Sequence, residues 1–484
     1  MTRSKREPAV ITPETIAHAR VHLAHDVAVR AGEYVLYWLR AYRRAEDNLA
    51  LDHAIVRANS LGIPLLVVES LDVRYPYASD RMHAFVLESA VDRAAVLALR
   101  GAQYCFYLPR TREEITRDRP LDLLAQRAAL VVSDWYPACG PMAKFWDETP
   151  RALGQRAGVR VELIDDAVVV PMALLCEKHE HAARTIRPKV QRRLEVSLTE
   201  SQSPTVTQRG VIAHEVPHTA VTREGIDALI AACAIDHTVP RVRATEGSRE
   251  QARARLQRLL TQRLGHYSAR RNDMGVEGSS ALSAHLHFGV LSVREVARAV
   301  RGAEGVTREE RDAFVEELVV RRSLAFNHVM TEPRHTEYDG GVPAWARETL
   351  ATASKDSRTA HTFAQWEQSL TSSPLWNCAQ RELVRDGVIQ PYARMLWGKL
   401  AIAMAESPAQ AFAWLIALND KWALDGRDPN TYTNIAWCFG LHDHPYPTQK
   451  VFGSLRSMTA AAAARKWDVQ AYAARLGMSL PRKL

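Results

Sequence analysis

Residues 418–437 read LNDKWALDGRDPNTYTNIAW, and their reading decides the fold around them. Just upstream, Ser407 and Pro408 pair a capping residue with a first-turn proline, which predicts a helix running along AFAWLIALN. Gly426 is the residue type suited to a left-handed C-terminal position, so the helix is expected to stop there. Arg427, Asp428, Pro429 and Asn430 follow, and the chain then returns to apolar Ile435, Ala436 and Trp437. An amide, two carboxylates and a guanidinium thus crowd the end of an apolar helix beside an aromatic. Either this is a solvated surface turn, or the charges are buried with partners, because each unpaired buried charge costs on the order of several kcal/mol.

The 484 residues are enough for two domains with large cores. Hydrophobic residues make up 47% of the chain, yet no apolar run is long enough to span a bilayer, so a soluble globular protein is expected. The first ten residues, MTRSKREPAV, are polar and lack the apolar core of a secretory signal. Six scattered cysteines with no CxxC pair argue against a zinc ribbon or a disulfide framework and suit a cytoplasmic location. A net charge of +8 favours a polyanionic partner.

Residues 33–171 alternate short apolar runs (34–38, 64–68, 103–107, 130–133 and 160–164) with amphipathic stretches such as 48–60 and 80–100. That pattern predicts a parallel sheet with right-handed crossovers, preceded by an extension over 1–32. No GxGxxG follows any of the strands, so a dinucleotide site of the Rossmann type is not expected. Residues 172–248 read as a basic linker carrying one or two helices, and 249–484 as almost entirely helical. Thr307 and Glu310 have capping-box spacing, and Pro374 and Gly387 bracket one helix. Another helix is expected over 391–406.

Several clusters offer chemistry. Tyr267, Arg271 and Asn272 precede Ser279, Ser280, Ala281, Leu282 and Ser283, which open an apolar run. Serines at a helix start present hydroxyls and free N–H groups to an anion, although a plain capping role fits them too. His285 and His287 face different directions on a helix and lack a third ligand, so no metal site is expected. Glu317 sits on the apolar side of FVEELVVRR, one turn before Arg321. Arg394 lies in an apolar helix face and needs a carboxylate, for which Asp425 is the natural partner.

Five ordered segments carry a family resemblance: YSARRND, SALSAHLHFG, FVEELVVRR, LWNCAQREL and LNDKWALDGRDPN. Together they resemble the class II cyclobutane pyrimidine dimer photolyases of the photolyase/cryptochrome family. YWLRAYRRAEDNLAL near the start and AARTIRPKV in the linker are similar to that family as well. The resemblance implies an α/β N-terminal domain, an all-α domain holding FAD, and light-driven repair of pyrimidine dimers in DNA by a monomer.

By that resemblance Tyr267, Arg271, Ser279, Ser280, Ala281, Leu282, Ser283, Asn377, Arg394, Asn419, Asp425 and Asp428 contact the cofactor. Asn419 would face flavin N5, and Asp428 would complete the polar rim. Glu317 and Arg271 would meet the lesion, with Met395 and Trp437 as apolar walls. Trp376 and Trp397 correspond to the inner members of an electron-transfer chain. Met404 stands where the family carries a third tryptophan, so the relay is expected to be shortened or rerouted through an aromatic such as Trp414. A second chromophore, deazaflavin or folate, is implied for the N-terminal domain without any residue naming it. Family arginines are replaced in the stretch from His442 to Gln449, and Phe326 occupies a commonly acidic position. These departures give weight to the alternative of a cryptochrome-like photoreceptor without repair activity.

Overall fold

The computed structural model describes residues 11–198, 202–353 and 361–482. The polar first ten residues, and residues 199–201 of the linker, lie outside that range.

Six strands, β1 (Val21–His25), β2 (Tyr34–Leu39), β3 (Leu65–Ser70), β4 (Gln103–Tyr107), β5 (Ala128–Trp135) and β6 (Val161–Asp165), form one sheet in the order β1-β6-β5-β2-β3-β4. The five expected strands are present and mutually parallel. Their central members are buried on both faces because helices cover both sides, which is why they read as continuous apolar runs. The Leu49–Leu61 helix starts on Asn48, whose side chain accepts from the Ala50 and Leu51 N–H groups, and stops at left-handed Gly62.

β1 corrects the sequence reading of residues 1–32 as a mere extension. It pairs antiparallel with β6 and closes one edge of the sheet. Its sequence VHLAH is only half-buried, so it lacks the apolar run that exposed the other strands. At the opposite edge the linker runs past β4. The Thr219 N–H donates to the Phe106 carbonyl (2.7 Å), and Gln103 exchanges two side-chain bonds with the Ile212 backbone. This covers an edge that would otherwise template pairing with another chain. The linker also carries helices Ala183–Ser197 and Ile226–Ala231.

A helical C-terminal part packs on the sheet through a buried ionic seam. Asp166, at the end of β6, receives Arg44 from the α/β part and Arg294 from the Val293–Arg301 helix, the latter at 2.9 Å. Arg294 and Arg298 also reach Asp47, at 3.2 and 2.9 Å. A second apolar core lies within the helical part and contains Trp366, Trp376, Trp397 and Met404.

Candidate functional site

The helix Pro408–Trp422 starts as expected, with Ser407 Oγ accepting from the Gln410 N–H. It ends at Trp422 rather than at Gly426. The Leu424 N–H is drawn to the Gly387 carbonyl of a neighbouring element (2.7 Å), which pulls the chain off the helix axis. Gly426 is still needed there, because a Cβ would lie 2.7 Å from the Asn419 carbonyl. The left-handed residue is Arg427 (φ 59°). Its buried guanidinium folds back onto the Asp420 and Ala423 carbonyls and so caps the helix end.

Asp428 does not form a polar rim. Its carboxylate is buried and caps the Pro429–Cys438 helix through the Asn430 N–H (2.9 Å). The same carboxylate accepts from the Tyr136 hydroxyl of the α/β part (2.7 Å) and contacts His287 (3.1 Å). Burial would raise its pKa, but Arg322 and His287 outweigh burial and hold it well below the usual carboxylate range. The charged turn therefore resolves as buried, with partners for both Arg427 and Asp428.

Three of the expected site residues join one network. Arg394 donates to both oxygens of Asp425 (2.8 and 3.1 Å). Thr431 Oγ1 donates to the Asp425 carbonyl (3.0 Å) and accepts from the buried Asn419 amide (3.2 Å). Gly398 lets the Pro391–Met404 and Pro429–Cys438 helices approach closely, since a Cβ would lie 2.6 Å from Cys438 Sγ. Those two helices carry half-buried Met395 and Trp437.

A second group lies on the neighbouring segment. Arg271 pairs with Glu317 (2.5 Å) and lies over the Tyr267 ring, 5.7 Å from its centroid. Burial pushes the Tyr267 hydroxyl up to about 12. Glu317 sits in a widened π-helical turn, Glu316–Arg321, and the turn separates the two glutamates. Glu316 binds Arg187 and Arg321, while Glu317 leaves the helix face to meet Arg271. Arg321 thus pairs with Glu316 (3.5 Å) and not with Glu317. Arg321 also lies over Trp437, at 5.5 Å. Only half of the expected capping box forms: Thr307 accepts from the Glu310 N–H, whereas the Glu310 carboxylate crosses to the Ser268 N–H and hydroxyl.

Gln390, which the sequence reading missed, ties the two groups together. It caps the Arg394 helix through the Ala393 N–H and donates to the Arg271 and Asp273 carbonyls (3.3 and 3.2 Å). Glutamine ahead of a first-turn proline was the available signal. Asn377, by contrast, directs its amide entirely to the preceding turn, with three bonds to Thr371.

Between Arg271 and the Ser283–His287 helix lies the serine loop. Gly278 is required there, as a Cβ would lie 2.1 Å from the Arg270 carbonyl. Ala281 is left-handed (φ 56°), and Leu282 is buried beneath the loop. Arg263 and Arg255 hold the Ser279 and Ala281 carbonyls (2.7 and 3.1 Å). Ser279 and Ser280 are half-buried and Ser283 is exposed, and Ser280 Oγ accepts from the Leu282 N–H (3.4 Å), which leaves its proton free to donate.

The departures from the family pattern also find their places. Phe326 is buried against Tyr136 (5.5 Å) and beneath the Arg322 guanidinium (4.9 Å), a setting in which an aromatic packs well. His442 joins His179, His181, His328 and His335 in a chain of ring contacts between 5.1 and 6.4 Å. Burial, reinforced by His442, His335 and His179, pushes His328 down to about 3, and burial pushes His442 down to about 4. Glu332 and Glu180 act in the opposite sense on His179.

His328 and His442 are neutral in the fold, whereas unfolded histidine takes up a proton near pH 6.5 (about that value). The unfolded state therefore gains protons first as pH falls, and stability is lost from about pH 6.5 downward at up to about 1.4 kcal/mol per pH unit for His328. Thermal unfolding across pH 7 to 4 (about that range) checks this. His328→Phe removes the titrating ring and is expected to flatten the acid limb; an unchanged limb contradicts the assignment.

This sheet with its attached helical part is the architecture of photolyases and cryptochromes. A cryptochrome structure from Synechocystis matches with a TM-score of 0.68 at 16% identity, covering 92% of this chain and 89% of that one. An archaeal photolyase from Sulfolobus tokodaii, solved with two FAD molecules, matches with a TM-score of 0.62 at 18% identity over 90% and 88%. Residues 35–208 match the DNA photolyase family. The deoxyribodipyrimidine photo-lyase of Methanothermobacter thermautotrophicus is 32% identical over 450 residues, 92% of this chain and 95% of that protein. The protein of the same name from Oryza sativa is 34% identical over 469 residues, 94% and 89%. The chain belongs to the DNA photolyase family.

Proposed function

We propose that the protein is a class II photolyase that binds FAD and uses light to split cyclobutane pyrimidine dimers in DNA. The observation that carries this reading is the Arg394–Asp425–Thr431–Asn419 network, tied through Gln390 to the Arg271–Glu317 pair. When bound, the flavin supplies the light-driven electron transfer.

The chain's own residues supply binding and orientation. The fit to FAD rests on the serine loop: Ser279 and Ser280 are half-buried and Ser283 is exposed, three hydroxyls that can donate to phosphate beside a glycine that admits no side chain. That loop takes the phosphates, with Tyr267 and Leu282 beneath it. Arg394 and Asp425 flank the isoalloxazine. Asn419, oriented by Thr431, offers N5 an amide that is too weak an acid to protonate it. Arg271 and Glu317 stand at the rim, where a flipped-out dimer would meet them, and Met395 and Trp437 bound its apolar faces. Extrusion costs about a few kcal/mol and least at a lesion that already pairs poorly, which favours damaged sites. The +8 charge suits a DNA backbone. The protein acts as a cytoplasmic monomer, and a deazaflavin or folate antenna would sit in the α/β part.

Reconstitution with FAD tests the reading. One flavin per chain is expected, and Asp425→Ala should release it by leaving Arg394 unpaired. A colourless protein that takes up no FAD contradicts the proposal.

A further inference from the structure

We propose that Trp366 and Trp414 form the outlet of the electron-transfer chain, in place of the position that Met404 occupies. The inference rests on the flavin-binding reading above. Trp376 and Trp397 stack with centroids 6.1 Å apart and an interplanar angle of 14°. From Trp376 the aromatic contacts turn aside: Trp366 lies 5.1 Å away, edge-on, and Trp414 lies 5.1 Å beyond Trp366. Met404 is buried in the apolar core, and a thioether is a poor carrier beside indoles. Electron transfer between rings decays steeply with separation, so four indoles in contact make a continuous path.

Proton placement gives the path its direction. The Trp376 N–H donates to the Trp397 carbonyl and the Trp397 N–H to Gln380 Oε1, both at 3.0 Å. Trp366 Nε1 is buried with no partner among the described residues. An oxidised indole is a strong acid, but a buried amide carbonyl is too weak a base to accept its proton. The first three tryptophans are 0–1% exposed, so a hole on them stays a cation and moves on. Trp414 is half-buried and borders solvent. There the proton can leave to water, which traps the hole at the surface.

The electron balance is one for one. With flavin bound and illuminated, Trp397 would give up one electron and be refilled in turn from Trp376, Trp366 and Trp414. Trp414 loses its indole proton to water. A soluble thiol then returns one electron and one proton to it and leaves as a thiyl radical; without a thiol, dioxygen adds to the radical, and the peroxyl formed takes back the one electron held on the flavin and a proton from water to leave a hydroperoxide on the indole.

The test uses FAD-loaded, oxidised protein under blue light, comparing wild type with Trp397→Phe, Trp366→Phe and Trp414→Phe. With thiol present, flavin reduction in the Trp366 and Trp414 variants should fall to the level of Trp397→Phe, with bound flavin unchanged. In air without thiol, peptide mass mapping should find oxidation concentrated at Trp414 in the wild type and absent there in Trp366→Phe. Wild-type reduction rates in Trp414→Phe, or oxidation that ignores Trp414, overturn the proposal. Absence of bound flavin in the wild type instead sinks the flavin reading itself. Trp414→Phe sits at a half-buried position, so it separates loss of the relay from any misfolding of the Trp366 variant.

Discussion

Asp166→Ala is expected to destabilise the protein by about 3–5 kcal/mol, the usual cost of removing one partner from a buried ion pair. The carboxylate is fully buried and serves Arg44, Arg294 and the Leu49 N–H together. Without it, two guanidiniums from different parts of the chain are left 1% exposed and facing one another across the seam. Asp47 still engages Arg294, so the loss should be large without abolishing folding. Denaturant titration followed by tryptophan fluorescence measures it. A shift under about 1 kcal/mol would place the seam with surface pairs, which contribute little.

Glu317→Ala should separate recognition from folding. Glu317 and Arg271 have side chains 38% and 29% exposed, so losing their pairing costs stability only about 1 kcal/mol or less. In the proposed lesion complex the same carboxylate would accept hydrogen bonds in a site closed by DNA, where a bond to a charged group contributes about 1.5–3 kcal/mol. Discrimination between dimer-containing and intact duplex should therefore fall by about 10- to 100-fold, with flavin content unchanged. Glu317→Gln keeps an acceptor and should lose less. Competition binding in the dark reads both variants; undiminished discrimination in Glu317→Ala removes Glu317 from the lesion site.

Much of the architecture was legible because local signals and tertiary packing agreed. Ser407 with Pro408, and Pro374 with Gly387, mark helix ends that the structure keeps. The β2–β5 strands read as apolar runs because both faces of the sheet are covered. The Arg394–Asp425 pair followed from the need of a half-buried cation for a carboxylate.

What escaped depends on partners distant in sequence. Gly426 marks no helix end because Gly387, 39 positions earlier by number, captures the Leu424 N–H first. The burial of Asp428 was not legible, because its hydroxyl partner Tyr136 comes from the α/β part. The π-helical turn that parts Glu316 from Glu317 has no mark in a sequence that reads as uninterrupted helix. Trp366 carries no motif at all, and only its ring contacts connect Trp376 to Trp414.

The central claim is that these helices hold a flavin whose excited, reduced form repairs a pyrimidine dimer. Its most direct test mixes chemically reduced, FAD-loaded protein with an oligonucleotide carrying one cyclobutane dimer and follows restored pyrimidines under blue light and in darkness. The account predicts restoration in light alone, at a rate untouched by Trp366→Phe or Trp414→Phe. Equal product in light and dark from flavin-loaded protein contradicts repair and points to the photoreceptor alternative.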